Sequence, residues 1–345
     1  MRTYKAEGSR SYRQMQFTLH ELKKSMQTGE ILEAQVFKCD SDMNLYLNLG
    51  NGITGIIYKD DVEIPRANGQ VKNAAIVNRV TRPTCFKVIS IDTNSDGSAT
   101  CKLSRRAAQE EVIEQFVAEL KPGKIVSARV THVAEYGAFC DIGCGVTALL
   151  PSDHFCMARF SDPRSIVSRG DDIKAVVKAL ADNRKIILSM KELLGTWEEE
   201  ASQFKAGDTV GATVMSVEEY GVFVELTPNL AGLAEPCNGV KVGDTVSVGI
   251  KAIIPEKMKV KLNIVDTSNT DYKLHMPLNF HVPESGEITH WVYSPENSAK
   301  VVESYIKSGK YHYSDKTNYN KTDESAESNV TEEKTDTKAA TEVDE

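Results

Sequence analysis

Short runs of alternating hydrophobic and polar residues fill the chain from about residue 31 to residue 264 and predict strands. The runs fall into three groups, and stretches with helical spacing separate the groups. Glycine, proline and other turn residues bound each run, which is typical of small all-β units. The predicted strands are 31–38, 45–49, 53–58, 75–80, 85–92 and 99–103, then 125–134, 138–142, 147–150, 173–179 and 185–190, then 209–217, 222–226, 232–234, 245–253 and 259–264.

An internal repeat supports this division into units. The motif Tyr-Gly-Ala-Phe at 136–139 recurs as Tyr-Gly-Val-Phe at 220–223, and Gly123 and Gly207 keep the same offset of 84 residues. A fixed period that carries both a turn and an aromatic pair indicates a duplicated domain. Five short antiparallel strands, with a longer connection from the third to the fourth, favour a five-stranded OB-fold barrel. An immunoglobulin-like sandwich fits less well because it needs about seven strands per unit.

Helices are predicted at the start of the chain and between the units. Thr18 and Glu21 form a capping box that opens a short helix, and Gly29 ends it. Residues 1–17 are expected to lack structure, whereas helical spacing over 105–120 and 191–204 predicts linker helices.

The predicted fold class is therefore all-β, with three tandem OB-fold barrels joined by short helices, a small C-terminal α+β segment and a disordered acidic tail. The predicted domains are an N-terminal segment with a short helix (1–26), the three repeats (27–106, 122–192 and 206–266), linker helices (107–121 and 193–205), a small module (267–312) and the tail (313–345).

Within the small module, 272–281 and 287–293 are predicted to form a hairpin. Ser294 and Pro295 are predicted to begin a helix that reaches about residue 306. The aromatic residues His290, Trp291 and Tyr293 are interpreted as a small local core, with a contact surface as the alternative.

The net charge of −8 is unevenly distributed along the chain. Residues 313–345 hold ten acidic residues and four lysines, so this tail carries −6. Residues 121–192 hold eleven Lys/Arg and eight Asp/Glu, which gives +3 and makes the second repeat the most basic. None of the repeats has the strong basic excess that is expected of a tight duplex binder.

Cysteines, histidines and short motifs give little support to catalysis. The seven cysteines lack metal-ligand spacing and are expected to be reduced structural thiols of a cytoplasmic protein. The sequence 143–148 matches a dinucleotide fingerprint, but it lies between two predicted strands and not before a helix. No apolar run approaches the roughly 20 residues that span a bilayer. We therefore expect no cofactor, no metal, no membrane association, no small-molecule substrate and no enzymatic activity.

The repeated motif supplies candidate binding residues. Tyr136 and Phe139 would lie on opposite faces of a regular strand, so a bulge at Gly137 is predicted to bring both rings to the outer face. The same holds for Tyr220 and Phe223. Bases stack on exposed rings with little regard to sequence, whereas the alternative is that both phenylalanines belong to the barrel core.

These units resemble the RNA-binding domain of the ribosomal protein S1 family. The resemblance rests on Gly-Lys-Ile-Val at 123–126, Tyr-Gly-Ala-Phe at 136–139, Ala-Leu-Leu-Pro at 148–151 and Lys-Ile-Ile-Leu-Ser at 185–189. It covers roughly 27–265, is strongest in the second repeat and weakest in the first, and looks most like the short form of Gram-positive-type bacteria.

The resemblance implies RNA contacts from two aromatic residues of the second strand, a histidine of the third strand and a basic residue before the last strand. The histidine is missing, since its positions hold Tyr58, Pro151 and Glu235; Tyr58 can still stack, whereas Glu235 would repel a phosphate. In the first repeat Met43 and Tyr46 take the aromatic positions, and only Arg105 and Arg106 offer charge. The candidate RNA-binding residues are Tyr136, Phe139, Arg129, Arg184, Lys185, Tyr220, Phe223, Lys257, Lys259, Tyr46 and Tyr58.

The resemblance thus implies a non-catalytic protein that binds single-stranded mRNA in translation, with the small ribosomal subunit as a partner. The second repeat is the best candidate site, and the first repeat, with Met43 in an aromatic position, is a candidate for docking on protein. The alternative is an interaction scaffold that docks on the ribosome or on an RNA-turnover nuclease and touches RNA little.

Overall fold

Three closed five-stranded barrels form the core of the described structure. A computed structural model describes residues 2–11, 15–65, 71–93, 98–158, 160, 162–181, 185–267 and 277–306. The first barrel has β1 (Leu32–Cys39), β2 (Leu45–Gly50), β3 (Ile53–Ile57), β4 (Pro83–Thr93) and β5 (Ala99–Ser104); the second has β6 (Ile125–Ala134), β7 (Gly137–Asp141), β8 (Thr147–Pro151), β9 (Asp172–Ala181) and β10 (Lys185–Ser189); the third has β11 (Thr209–Glu218), β12 (Gly221–Thr227), β13 (Leu230–Ala234), β14 (Thr245–Ile254) and β15 (Lys259–Asp266).

All three barrels have the same topology, and the predicted OB-fold is confirmed. In each, the first strand pairs with the second and the fourth, and the third strand pairs in parallel with the fifth. Inward-facing apolar side chains fill each barrel, such as Val36 and Leu47 in the first and Val224 and Leu262 in the third. A bulge interrupts the first strand of each barrel, at Val36/Lys38, Val130/His132 and Val214/Ser216.

The helices flank the barrels and are short. Helix α1 (Leu19–Thr28) begins at the predicted capping box of Thr18 and Glu21 and ends at Gly29, whose φ is 70°. Helix α3 (Arg105–Gln115) follows the first barrel and continues into a 3-10 turn at Val117–Glu119.

Two expectations in this region were wrong. Residues 75–80 form no strand; α2 (Asn73–Val77) lies there, and its buried Ile76 packs on the first core. The second linker is no continuous helix, because Gly195 at φ 86° separates a 3-10 turn (Lys191–Leu193) from α4 (Trp197–Ala201).

The C-terminal part of the described chain differs from the expectation. β16 (His290–Val292) pairs with β17 (Glu303–Tyr305), so the predicted helix over 294–306 and the hairpin partner for 287–293 were wrong. Residues 277–281 contain no strand, and 272–276 lie outside the described residues. Trp291 and Tyr293 are buried against the third barrel, which draws this segment into an extended form.

Residues 2–11 are ordered, in contrast to the expectation for 1–17. They form a strap between the first and second barrels, with the carboxylate of Glu7 buried beside Arg105 (Nε–Oε1 2.7 Å). The backbone N–H of Cys144 in the second barrel donates to the carbonyl of Lys5 (3.0 Å), and the N–H of Glu7 donates to Asp141 (2.8 Å). The acidic tail over 313–345 lies outside the described residues.

Candidate nucleic-acid interface

The two-residue turn between β6 and β7 presents Tyr136 at the end of the second barrel. Ala134 pairs with Gly137, so Glu135 and Tyr136 form the turn itself. The pairing of β7 with β8 is regular at Gly137, and the predicted bulge at this glycine was wrong. The rings nevertheless meet on one face, because Tyr136 stands in the turn and Phe139 faces outward from the strand.

Gly137 is required by close packing against the neighbouring strand. Its φ is 145°, and a Cβ there would collide with the carbonyl oxygen of Leu150 in β8. Gly221 stands equivalently, since a Cβ there would collide with the carbonyl of Ala234. The repeated glycine therefore allows the third strand to pass next to the turn that holds the tyrosine.

The second and third barrels present the same pair of rings with the same geometry. The centroids of Tyr136 and Phe139 lie 6.0 Å apart at 86°, and those of Tyr220 and Phe223 lie 6.1 Å apart at 86°. Tyr136 is 60% exposed and Tyr220 is 66% exposed, while both phenylalanines are half-buried and neither belongs to a barrel core. We call each of these a ring pair.

His132 extends the ring pair of the second barrel. Its imidazole lies 6.2 Å from the ring of Phe139 at 24°, and the two residues are cross-strand partners. The bulge at Val130/His132 shifts the register of β6 here, so the spacing of His132 in the sequence gave no sign of this contact. The second barrel thus has three neighbouring aromatic side chains at its surface.

Outward-facing residues form one row across strands one, two, three and five of each barrel. Each row contains the aromatic residue of the second strand, with an aliphatic residue beside it on the third strand. The rows are Lys38, Tyr46, Ile56 and Lys102 in the first barrel, His132, Phe139, Leu149 and Ile187 in the second, and Ser216, Phe223, Leu233 and Lys261 in the third.

The first barrel has an aromatic face that sequence reasoning largely missed. Phe37 is 55% exposed and contacts Tyr46, with centroids 6.5 Å apart. The ammonium of Lys38 lies 5.3 Å from the centre of the Tyr46 ring. Lys102 similarly lies 5.6 Å from the ring of Tyr58, which is 46% exposed. Phe37 sits in the bulge of β1, which explains why strand parity concealed it.

Met43 does not take the role of the first aromatic residue. It lies in the turn between β1 and β2 at φ 66°, partly buried against the first core.

The hydroxyl of Tyr46 donates to Asp40 (3.1 Å), and this hydrogen bond raises the pKa of Tyr46.

The basic candidates near the last strand lie on the outer face. Lys185 is exposed and shares a face of β10 with Ile187, a member of the second row. Lys259 and Lys261 share a face of β15, and Lys257 is exposed in the turn before it. Arg184 lies outside the described residues.

Three other arginines are held in structural contacts. Arg129 makes two hydrogen bonds with Asp172 (2.7 and 2.6 Å) and donates to the carbonyl of Gly8. Arg105 is fully buried beside Glu7, and Arg106 pairs with Glu110 (3.5 Å). Arg105 therefore cannot reach a ligand on the surface of the first barrel.

The acidic residue at the histidine position of the third barrel is partly neutralised. Lys251 Nζ lies 2.6 Å from Glu235 Oε1, and this pairing lowers the pKa of Glu235. The expected repulsion of phosphate by Glu235 is weaker with a lysine beside it.

The seven cysteines are free thiols, and most are buried. Burial raises the pKa of Cys101 to about 11 and that of Cys140 to about 12. Thiols in such surroundings are poor nucleophiles because the reactive form is the thiolate.

Comparison with known proteins finds a domain match in the second barrel and relatives over about half of the chain. Residues 119–191 match the family described as the S1 RNA binding domain. The chain is 30% identical to small ribosomal subunit protein bS1 of Leuconostoc lactis over 195 residues, which is 52% of this chain and 44% of that protein. It is 30% identical to the protein of the same name from Staphylococcus aureus strain COL over 182 residues, 48% of this chain and 46% of the relative.

A longer alignment reaches more of this chain. Small ribosomal subunit protein bS1 of Pseudomonas aeruginosa is 24% identical over 273 residues, which is 75% of this chain and 47% of the relative. Among solved structures, a multidomain protein with nucleic acid binding domains from Streptococcus pneumoniae aligns over 69% of this chain and 74% of its own, at 14% identity and a TM-score of 0.24. That score is too low to support an argument.

Three closed barrels of OB topology, two of them with matching ring pairs, define a protein built from tandem OB-fold repeats. The second of these barrels matches the S1 RNA binding domain family over residues 119–191, and about half of the chain is similar to the bS1 proteins. It spans less than half the length of the curated relatives that it matches. The described residues contain no helix that is long and apolar enough to cross a membrane.

Proposed function

We propose that the chain is a non-catalytic protein that binds single-stranded RNA through the outer faces of its barrels. The observation that carries this proposal is the ring pair, which recurs with the same geometry in the second and third barrels and is exposed in both. An exposed tyrosine beside an outward-facing phenylalanine contributes little to a barrel core. It is, however, a surface on which an unpaired base can stack.

The proposed affinity comes from stacking repeated along the strand more than from charge. Base–aromatic stacking contributes roughly 1–3 kcal/mol per base. The described outer faces add single lysines: Lys102 lies beside the ring of Tyr58, and Lys185 and Lys261 are exposed on the last strands of the second and third barrels. Because the barrels are covalently linked, binding to one raises the effective concentration of RNA at the next. We therefore expect moderate affinity with a limited dependence on salt.

We further propose a role in translation, with mRNA as the ligand and the small ribosomal subunit as a partner. The support is the name of the relatives, small ribosomal subunit protein bS1, together with the S1 domain match. The first barrel joins the RNA surface in this proposal, because Phe37, Tyr46 and Tyr58 lie beside two lysines.

The test is the affinity of the intact chain for a single-stranded RNA of about ten nucleotides. Replacing Tyr136 and Phe139 by alanine is expected to weaken binding by roughly 2–5 kcal/mol, the contribution of two stacked bases. The matched control is the replacement of His290 and Tyr305, an exposed stacked pair (4.2 Å, 13°) on the β16–β17 sheet outside the barrels.

The control variant is expected to bind RNA as the wild type does. Unchanged affinity in a folded Tyr136/Phe139 variant would contradict the proposal and favour the interaction scaffold. Equal losses in both variants would show that any exposed ring suffices and that the ring pair is no specific site.

A further inference from the structure

A cleft of about 430 Å³ lies where the first barrel meets the second. Its lining comes from both barrels and from the N-terminal strap, and it includes four arginines, Arg79, Arg82, Arg129 and Arg169. Two carboxylates, Glu7 and Asp141, also line it, which leaves an excess of two positive charges in the lining. This excess is notable in a chain whose net charge is −8. We call this feature the junction cleft.

Two of the four guanidinium groups already have carboxylate partners. Arg129 is held by Asp172 through two hydrogen bonds, and Arg79 pairs with Glu7. Glu7 in turn is held by the buried Arg105, so its negative charge is shared between two arginines. The strap carboxylate is therefore already paired with two arginines other than Arg82 and Arg169.

The other two guanidinium groups have no such partner. Among the residues that the structure describes, neither Arg82 nor Arg169 makes a side-chain hydrogen bond or an ion pair. Burial, together with the nearby charges of Arg169 and Arg79, outweighs the opposing charge of Glu7 and lowers the pKa of Arg82. Arg82 is half-buried and Arg169 is exposed, and their like charges act on each other at the open cleft. Guanidinium groups bind phosphate oxygens in a bidentate manner.

Hydrogen bonds within the protein hold the strap side of the junction cleft in place. The strap is attached to the second barrel by the hydrogen bonds from Cys144 to Lys5 and from Glu7 to Asp141. Asp141 also accepts from the N–H of Gly145 (2.9 Å). Rigid walls reduce the entropy that a ligand must lose to be held there.

The junction cleft is continuous with the ring pair of the second barrel. His132 lines the cleft, and its ring is stacked on Phe139, which contacts Tyr136. A strand whose bases lie on Tyr136 and Phe139 therefore meets the arginines a short distance along its backbone.

We propose that the junction cleft binds backbone phosphates of an RNA strand that is stacked on the second barrel, with Arg82 and Arg169 as the phosphate ligands. This inference rests on the proposed function, and it adds a second contact that joins the first two barrels into one binding surface. A free di- or triphosphate shares the same chemistry. The RNA backbone is favoured because the cleft is open and adjoins the stacked rings.

The test measures the salt dependence of RNA binding by the intact chain. Single-stranded RNA of about twenty nucleotides is titrated over a range of salt concentrations against the wild type and a variant with Arg82→Gln and Arg169→Gln. Each lost phosphate contact lowers the slope of log affinity against log salt by about 0.7, so the expected change is about 1.4. Relative to 1 M salt, this change is about a 25-fold loss of affinity at 0.1 M.

The matched control carries Arg2→Gln and Arg164→Gln, which remove the same charge from two exposed arginines that do not line the junction cleft. We expect this control to keep the wild-type slope. A variant with Arg82→Lys and Arg169→Lys keeps the charge and is expected to keep most of the slope. Equal melting temperatures show that the variants are folded.

Titration with tripolyphosphate distinguishes the source of the phosphate. Loss of tripolyphosphate binding with an unchanged RNA slope in the Gln variant would assign the cleft to a free phosphate compound and overturn the RNA assignment. No change in either ligand would overturn the site. If replacing Tyr136 and Phe139 abolishes RNA binding while the Gln variant binds normally, the proposed function stands and this inference fails. A wild-type chain that binds no RNA would contradict the proposed function itself.

Discussion

Replacing Glu7 by glutamine should loosen the strap that joins the first two barrels. The Glu7 carboxylate lies 2.7 Å from Arg105 Nε and 3.1 Å from Arg105 Nη2, pairs with Arg79, and accepts the backbone N–H of Cys85 (3.1 Å). Arg105 is fully buried, so the substitution leaves a buried guanidinium without its counter-charge. Glutamine keeps the size of the side chain, which limits the change to charge and hydrogen bonding.

Loss of the Glu7 charge should destabilise the folded state by about 3 kcal/mol or more. Removing one partner of a buried ion pair typically destabilises by about 3–5 kcal/mol. Burial alone would raise the pKa of Glu7, but Arg105 and Arg79 outweigh burial and lower it to about 2. Against the ordinary value of 4.5, this depression corresponds to about 3 kcal/mol of stability.

Hydrogen exchange of individual backbone amides is the assay, because it reports local opening. A loss of about 3 kcal/mol should speed exchange of the Cys85 and Cys144 amides by roughly two powers of ten. The control is Glu287→Gln, which removes an exposed partner of Lys124 (3.4 Å) and should change local stability by less than about 1 kcal/mol.

The stabilisation by Glu7 should depend on pH. Because the folded pKa of Glu7 is depressed, its contribution is complete above pH 4.5 and is lost as the pH falls through about 2. The difference between wild type and variant should therefore shrink between pH 5 and pH 2. A difference that is independent of pH, or no larger than that of the Glu287 control, would show that the Glu7 charge does not stabilise the strap.

Three further expectations concern single residues. Gly137→Ala should lower the free energy of unfolding by more than about 3 kcal/mol, because the new Cβ meets the Leu150 carbonyl. Gly207→Ala, at φ 100° but in open space, should lower it by only roughly 1–3 kcal/mol. Equal melting temperatures of the two variants would contradict this expectation. Burial raises the pKa of Glu225 to about 7, so its protonated form stabilises the fold below pH 4.5 and this contribution is lost as the pH rises through 7. Glu225→Gln should therefore raise the free energy of unfolding at pH 8 by at most about 3 kcal/mol and have little effect at pH 4. A gain of equal size at both pH values would be inconsistent with a titrating Glu225. Lys185→Ala should weaken RNA binding equally across RNA sequences and lower the salt slope by about 0.7, so a loss that depends on base identity would argue against a phosphate contact.

The barrels could be predicted because their signals are local and repeated. Alternation of apolar residues marks the strands, and the recurrence of Tyr-Gly-x-Phe at a fixed period marks the units. Where the apolar pattern fitted both a strand and a helix, the predicted strand was wrong. Ala75–Val80 has the apolar content of a short strand, yet Ile76 is buried from a single helical turn. A run of six residues is too short to distinguish the alternation of a strand from the spacing of a helix.

The surface rows could be predicted only in part, since bulges decide which side chains meet. Phe37 and His132 stand beside Tyr46 and Phe139 because β1 and β6 each shift register within two residues of them. The prediction that Tyr136 and Phe139 share one face was right, but its reason was wrong, because Tyr136 lies in the turn itself.

Long-range charge pairs left no trace in the sequence. Glu7 and Arg105 are 98 residues apart, and nothing in their neighbourhoods indicates that they meet. The strap that they stabilise therefore appeared as a structureless terminus. The junction cleft was hidden for the same reason, because its arginines come from two barrels.

Photo-crosslinking can map directly where RNA contacts the intact chain. Single-stranded RNA that carries 4-thiouridine is irradiated with the protein, and the linked peptides are identified by mass spectrometry. We expect cross-links at or next to Tyr136 and Phe139, and at or next to Tyr220 and Phe223, since bases stacked on these exposed rings lie in contact with them. Cross-links confined to other surfaces, with none near either ring pair, would contradict RNA binding by the ring pairs.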